Sequence, residues 1–151
     1  MPAAVALYDI VLWLHITAVV TAFGALFAYP VFLIVNAKAP IAQRAALHHS
    51  QIAFSKRVTG PAIGVVLLAG IYLASDRDLW SEVWVTVPLV LLFVIAGLGV
   101  SVLRRGEERL VATAEAGDEP GYATALGTLQ TWTAATIALI VVAIFFMAVK
   151  P

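Results

Sequence analysis

Four long apolar runs, joined by shorter polar stretches, make up most of this chain. The first is Leu7 to Ala37, with a single histidine, His15, near its start. The second is Thr59 to Ser75, the third Val83 to Leu103, and the fourth runs from about Thr124 to Val149. At about 1.5 Å per residue the first run exceeds the ~30 Å hydrocarbon thickness of a bilayer, so it spans with tilt or protrudes. The second is at the short end of the spanning range. In lipid every backbone N–H and C=O must be bonded within the protein, and these runs are too long for barrel strands, so all four are expected as helices. The pattern predicts one all-α integral membrane domain over 1–151, a four-helix transmembrane bundle.

The polar stretches carry some structure of their own. Pro40 to Arg57 keeps apolar residues at Ile41, Ala45, Leu47, Ile52 and Phe54 with no strong breaker after Pro40. It is expected to be a helix, lying along the interface or continuing into the second span. Arg104 to Ala116 is also helix-compatible, ending near Gly117, with Pro120-Gly121 as the turn. Asp76-Arg77-Asp78 is a short turn, followed by Trp80 and Trp84; with Trp13 these fit an aromatic belt at one interface. Small residues four apart (Gly24 and Ala28, Gly60 and Gly64, Gly97 and Ser101) suggest close helix approach. Pro61 falls in the first turn of its span, Pro88 about a turn into the third, and Pro30 well inside the first, where it should bend the helix and free the Leu26 carbonyl.

Composition sharpens this picture. The chain of 151 residues is 62% hydrophobic and 12% charged, with mean hydropathy +0.99. So much apolar surface cannot be hidden inside so short a chain, so lipid must cover much of it. Net charge is zero, which gives no sign of a nucleic-acid partner. The absence of cysteine excludes disulfides, thiol nucleophiles, iron–sulfur clusters and zinc–thiolate sites. The first run is longer than a signal-peptide core and lacks a basic start, so it is expected to be retained. Lys38, Arg44, Lys56 and Arg57 in the first connection, and Arg104, Arg105 and Arg109 in the third, outweigh Arg77 and Lys150 at the other side. The positive-inside rule then puts both termini outside the cytoplasm, in a multi-pass protein of the inner membrane.

His15 is the leading candidate for chemistry. An intramembrane ionisable group is a functional candidate by default, and neutral imidazole is a good haem or metal ligand. The plainer alternative is a histidine hydrogen-bonded across the bundle, to Thr86 or a backbone carbonyl. Met147 stands at the same level and could supply a second axial haem ligand; filling the core is its ordinary role. Tyr72 is a further candidate at that level, as donor or interfacial anchor. His48 and His49 lie at the opposite end, separated from His15 by about 25–30 Å. They read as interfacial residues; a metal site from the pair is disfavoured, since adjacent helical side chains point about 100° apart and no carboxylate is fixed near them by spacing. Thr124, Thr128, Thr131, Gln130, Thr133 and Thr136 open the fourth helix, suggesting interhelical hydrogen bonds or a polar vestibule. Apart from Asp9 at the very start of the first run, no span carries a Lys, Arg, Asp or Glu, which argues against an ion pump or a transporter of charged substrates.

Leu14-His15-Ile16, then Phe23, Leu26-Phe27, Pro30 and Phe32, resemble the first helix of HemJ-type protoporphyrinogen oxidases. Lys56-Arg57-Val58-Thr59-Gly60-Pro61-Ala62 with Gly70-Ile71-Tyr72-Leu73 is similar to that family's second helix. Trp84-Val85-Thr86-Val87-Pro88-Leu89 resembles its W-L-H-V-K-L segment, and Val149-Lys150-Pro151 its ending. The first-helix pattern is also similar to CopD-like copper-resistance membrane domains, and to a family of uncharacterised integral membrane proteins of this length. The resemblance implies the four-helix fold, a porphyrin-sized pocket and a haem-ligand role for His15. The oxidase family's lysine falls at Pro88, its third-helix histidine at Thr86 and its first-helix arginine at Val31, so the oxidase activity is not implied. Three expectations follow: a haem b- or porphyrin-binding membrane protein using His15, with Met147 as the further ligand; a cofactor-free structural or accessory subunit; or copper handling, which two methionines and no cysteine disfavour. Lipid is the expected partner, with homo-oligomerisation burying packing faces.

Overall fold

The computed structural model describes residues 6–151, and these contain no strand. Six helices follow in order: α1 (Leu7–Ala37), α2 (Ile41–Phe54), α3 (Gly60–Asp76), α4 (Val83–Leu98), α5 (Arg104–Glu115) and α6 (Glu119–Val149). Two π-helical turns, Ser55–Thr59 and Gly99–Leu103, fuse α2 to α3 and α4 to α5. The result is four continuous rods, Leu7–Ala37, Ile41–Asp76, Val83–Glu115 and Glu119–Val149, each long and apolar enough to cross a membrane. The fold is an all-α four-helix transmembrane bundle.

Around the bundle α1 packs on α3 and α6, and α6 packs on α4, whereas α3 and α4 barely touch. The first core cluster joins Ala18, Ala22 and Phe23 of α1, Ala62 and Val66 of α3, Leu92 and Ile95 of α4 and Ile140 of α6. The outer faces carry large apolar side chains, among them Val20, Val31, Leu68, Val90 and Phe93. That is the surface lipid would solvate. A second cluster lies where α2 and α5 extend beyond the four-rod core: Leu33, Leu103, Leu110, Ala114, Tyr122 and Leu129.

The stretch after Pro40 is α2, and it continues into the second span through the first π turn. That turn has a local cause. Pro61 has no N–H to give to Arg57, and its ring crowds that carbonyl. Widening the preceding turn, so that the Gly60 N–H bonds to the Ser55 carbonyl, relieves the conflict. Pro120-Gly121 is not the turn. The chain reverses over Ala116 to Asp118, where Gly117 takes φ +69°, and Asp118 caps α6 by accepting from the Gly121 N–H at 3.0 Å. Proline belongs in the first turn of a helix, where its absent N–H is harmless.

The small-residue pairs do not form the helix contacts. Gly24, Ala28, Gly64, Gly97 and Ser101 are exposed, and Gly24, Gly64 and Gly97 have no neighbouring atom within 4 Å of where a Cβ would stand. Close approach of α1 to α3 runs through alanine instead, at Ala18, Ala22 and Ala62. The threonines of α6 are also not interhelical. Thr124, Thr128, Thr131, Thr133 and Thr136 each donate to the carbonyl four residues back in their own helix.

Candidate functional site

A buried hydrogen-bonded cluster draws one residue from each of four helices. Tyr29 comes from α1, His48 from α2, Glu107 from α5 and Tyr122 from α6. His48 is completely buried, Tyr122 and Glu107 nearly so. The Glu107 carboxylate accepts from the Tyr29 hydroxyl on Oε1. Its Oε2 lies 2.6 Å from His48 Nδ1, and His48 Nε2 lies 2.8 Å from the Tyr122 hydroxyl. A neutral imidazole with its proton on Nδ1 satisfies every group: Nδ1–H donates to the carboxylate and Nε2 accepts from Tyr122. Protonated imidazole is satisfied too, because the Tyr122 oxygen can accept. Arg44 closes the outside. Its Nε donates to the Ala39 carbonyl at 2.8 Å, one terminal nitrogen pairs with Glu119 at 2.7 Å, and its guanidinium lies 4.7 Å above the Tyr122 ring.

Helical register explains why these residues meet. Ile41, Ala45, His48 and Ile52 fall on one stripe of α2, and Glu107, Leu110 and Ala114 on one stripe of α5 that continues Leu103 of the second π turn. Packing the two apolar stripes together carries a histidine and a glutamate inward with them. Burying either alone would be costly; burying them paired, with a tyrosine at each end, leaves no donor or acceptor open.

Next to this cluster is a cavity of about 870 Å³. Tyr29 and Glu107 form part of its wall, and both π turns line it, through Ser55, Lys56 and Thr59 on one side and Gly99, Val100 and Leu103 on the other. Ile63, Ile95 and Ala96 continue the wall toward the bundle core. Gln51, also in the wall, buries its side-chain oxygen without a hydrogen-bond partner. Since α3 and α4 scarcely meet, the two π turns flank the loosest seam of the bundle. π-turns recur at functional sites because they widen a helix and leave backbone and side chains free to line a space.

His15 lies at the other end of α1, partly exposed, and is not in this wall. Its ring packs against Gly70 of α3, where a Cβ would come 3.2 Å from Cε1. Its Nδ1 is buried and has no hydrogen-bond partner of good geometry, with the Val66 backbone beside it. Thr86 is not its partner, since that hydroxyl donates within its own helix to Glu82 and Val83. Met147 is in the last turn of α6 and is exposed. Tyr72 is partly buried on α3. At this end Arg77 stacks on Tyr8 and Lys150 on Trp84, at 4.3 and 4.5 Å.

His48 therefore is not an interfacial residue, and it does have a carboxylate beside it. His49, its neighbour, is exposed and reaches Glu115 at 3.4 Å. Because both ring nitrogens of His48 are occupied, it is not open to a metal. No three His, Asp or Glu side chains come together as a metal-holding group among the described residues. Compared with known proteins, the chain matches no family model, no curated protein and no solved structure.

Proposed function

We propose that this integral membrane protein binds a membrane-soluble amphipathic molecule in the cavity between the two π turns, its polar end toward Tyr29, Gln51 and Glu107. The observation that carries this reading is the composition of the wall: apolar side chains on the bundle side, and a buried polar cluster with an unsatisfied Gln51 oxygen on the other. Ligand sites are commonly apolar concavities with a few convergent polar groups. The excess of basic residues at this end supports a site at the cytoplasmic face of the inner membrane, with both termini outside. Native mass spectrometry of protein released from mild detergent tests the reading. Wild type is expected to carry one amphiphile per chain, and Ile63→Trp, which fills the cavity, to carry none. Equal occupancy of the two would overturn it.

A second reading starts from His15 as the histidine within a span: a haem b or porphyrin site at the opposite end, with Met147 as the further ligand. Its Nδ1 is turned to Gly70 and the Val66 backbone of α3, so the other ring nitrogen, Nε2, would be the donor to a tetrapyrrole metal. A bound haem would supply one-electron chemistry, and the chain's part would be to hold the iron at His15 and exclude water. Protein purified from haem-replete cells should then show a Soret band that His15→Ala abolishes and Met147→Leu shifts. A colourless wild type with empty metal analysis ends this reading and leaves His15 as a packing residue of a cofactor-free subunit. Copper handling has less support, since no clustered donor set stands among the described residues.

A further inference from the structure

We infer that the amphiphile is an anionic phospholipid, its phosphate held between Lys56 and Arg104 and one acyl chain lying in the cavity. This inference rests on the binding reading above and assigns the ligand class. Lys56 belongs to the first π turn, and Arg104 immediately follows the second; both line the cavity and both are exposed. Lys56 has no ion-pair partner among the described residues. Arg104 gives only its Nε to Glu108, at 2.9 Å, so its terminal nitrogens remain free to donate. The only acidic residue in the wall is Glu107, and both of its oxygens are already engaged by Tyr29 and His48. Two cations thus face one carboxylate whose two oxygens are already hydrogen-bonded inside the cluster.

Depth gives a second, independent reason. Counting along the rods from Asp76 to Lys56 and from Val83 to Arg104 gives about 30 Å in each case at 1.5 Å per residue, the thickness of the hydrocarbon core. Both cations then stand at the level of lipid phosphates when the other helix ends lie at the opposite boundary. Basic pockets between transmembrane helices on this side are established modes of anionic headgroup binding. The third reason is Gln51. Its buried oxygen lacks a donor, and a glycerol hydroxyl of a phosphatidylglycerol headgroup would supply one. A choline headgroup offers no donor and would bring a cation toward Lys56 and Arg104. Along the wall Ile63, Ile95 and Val100 give the acyl chain an apolar path through the seam between α3 and α4.

The test is native mass spectrometry of delipidated full-length protein titrated with phosphatidylglycerol and with phosphatidylcholine of the same chains. Wild type is expected to prefer phosphatidylglycerol by about thirtyfold, as two phosphate-level cations imply. Lys56→Gln/Arg104→Gln should bring that preference to within about twofold, while Arg57→Gln/Arg105→Gln, which alters basic residues outside the wall, should lower it less. Ile63→Trp should remove binding of both lipids, and free inorganic phosphate at millimolar concentration should not compete. Equal wild-type affinity for the two lipids, with Ile63→Trp still blocking them, overturns the anionic assignment and leaves the binding reading standing. Lipid binding that Ile63→Trp does not touch overturns both. Circular dichroism confirms that each variant keeps its helix content before it is compared.

Discussion

Glu107→Leu should lower the stability of the folded bundle by about 3–5 kcal/mol, the cost of removing one partner from a buried pair. Both carboxylate oxygens are engaged, so the substitution strands the Tyr29 hydroxyl on α1 and the His48 Nδ1–H on α2 together. Each buried donor left without an acceptor costs about 1–3 kcal/mol, so two of them reach the same range. Glu108, one residue on, is exposed and pairs with Arg104 along the helix surface. Its replacement by Leu should change stability by less than about 1 kcal/mol. Reversible unfolding in mixed micelles, followed by circular dichroism, measures both. If the two substitutions cost the same, the cluster does not hold the helices together. The cycle with His48→Leu sharpens the test. Once both partners are apolar, part of the loss should return, giving a coupling of about 0.5–3 kcal/mol between sites in direct contact. Glu107→Gln should be milder than Glu107→Leu, because the amide oxygen still accepts from one neighbour.

This cluster also marks the boundary of what the sequence made legible. Hydropathy and length were enough for four helices, because the bilayer imposes a physical requirement on each run separately. They were also enough to expect helix over Ile41–Phe54 and Arg104–Glu115. The meeting of His48 and Glu107 was harder to see, since the two residues are 59 positions apart and no local spacing joins them. A signal was nonetheless present. Each occupies a core position in an otherwise apolar stripe, and an ionisable residue in such a stripe needs a partner in the facing one. His15 drew attention because it stands alone within a span, yet a lone histidine on one helix says nothing about what the other helices bring to it. The structure packs its ring on Gly70 and turns its Nδ1 toward the Val66 backbone.

The π turns connect the fold to the proposed binding. A regular α-helix through Pro61 would keep the start of α3 in line with α2; the widened turn shifts the register of α3 relative to α2 by part of a turn. The same device recurs at Gly99–Leu103 in the facing rod, at the same depth. Together they allow α2 and α5 to pack tightly at the polar end while α3 and α4 stay apart. The cavity occupies that divergence, and the buried cluster fixes the four rods at its polar edge. Tight packing at one level and an open seam at the next are therefore two results of one backbone feature.

The α1–α3 contact yields the second large effect. Ala22→Leu is expected to destabilise the bundle by about 1–3 kcal/mol, the usual cost of forcing extra methylenes into a filled interface. Ala22 is completely buried in the cluster formed with Ala62 and Val66. Between helices in lipid there is little hydrophobic gain to offset the strain, since the displaced chains are as apolar as leucine. Gly24, two residues on, is the contrasting position. It faces outward with open space beyond it, so Gly24→Leu should be neutral or raise stability by up to about 1 kcal/mol through helix propensity alone. The same unfolding measurement decides between the two faces. If Gly24→Leu were the damaging change and Ala22→Leu the silent one, α1 would be rotated by roughly half a turn from the position found here, since residues two apart differ by about 200° around a helix. That rotation would also carry Tyr29 away from Glu107, because Tyr29 is seven residues from Ala22 and lies on nearly the same face. Ala22 therefore does more than fill space. Its small size permits the close approach that fixes how α1 is turned, and that turn brings the Tyr29 hydroxyl to the carboxylate at the polar end.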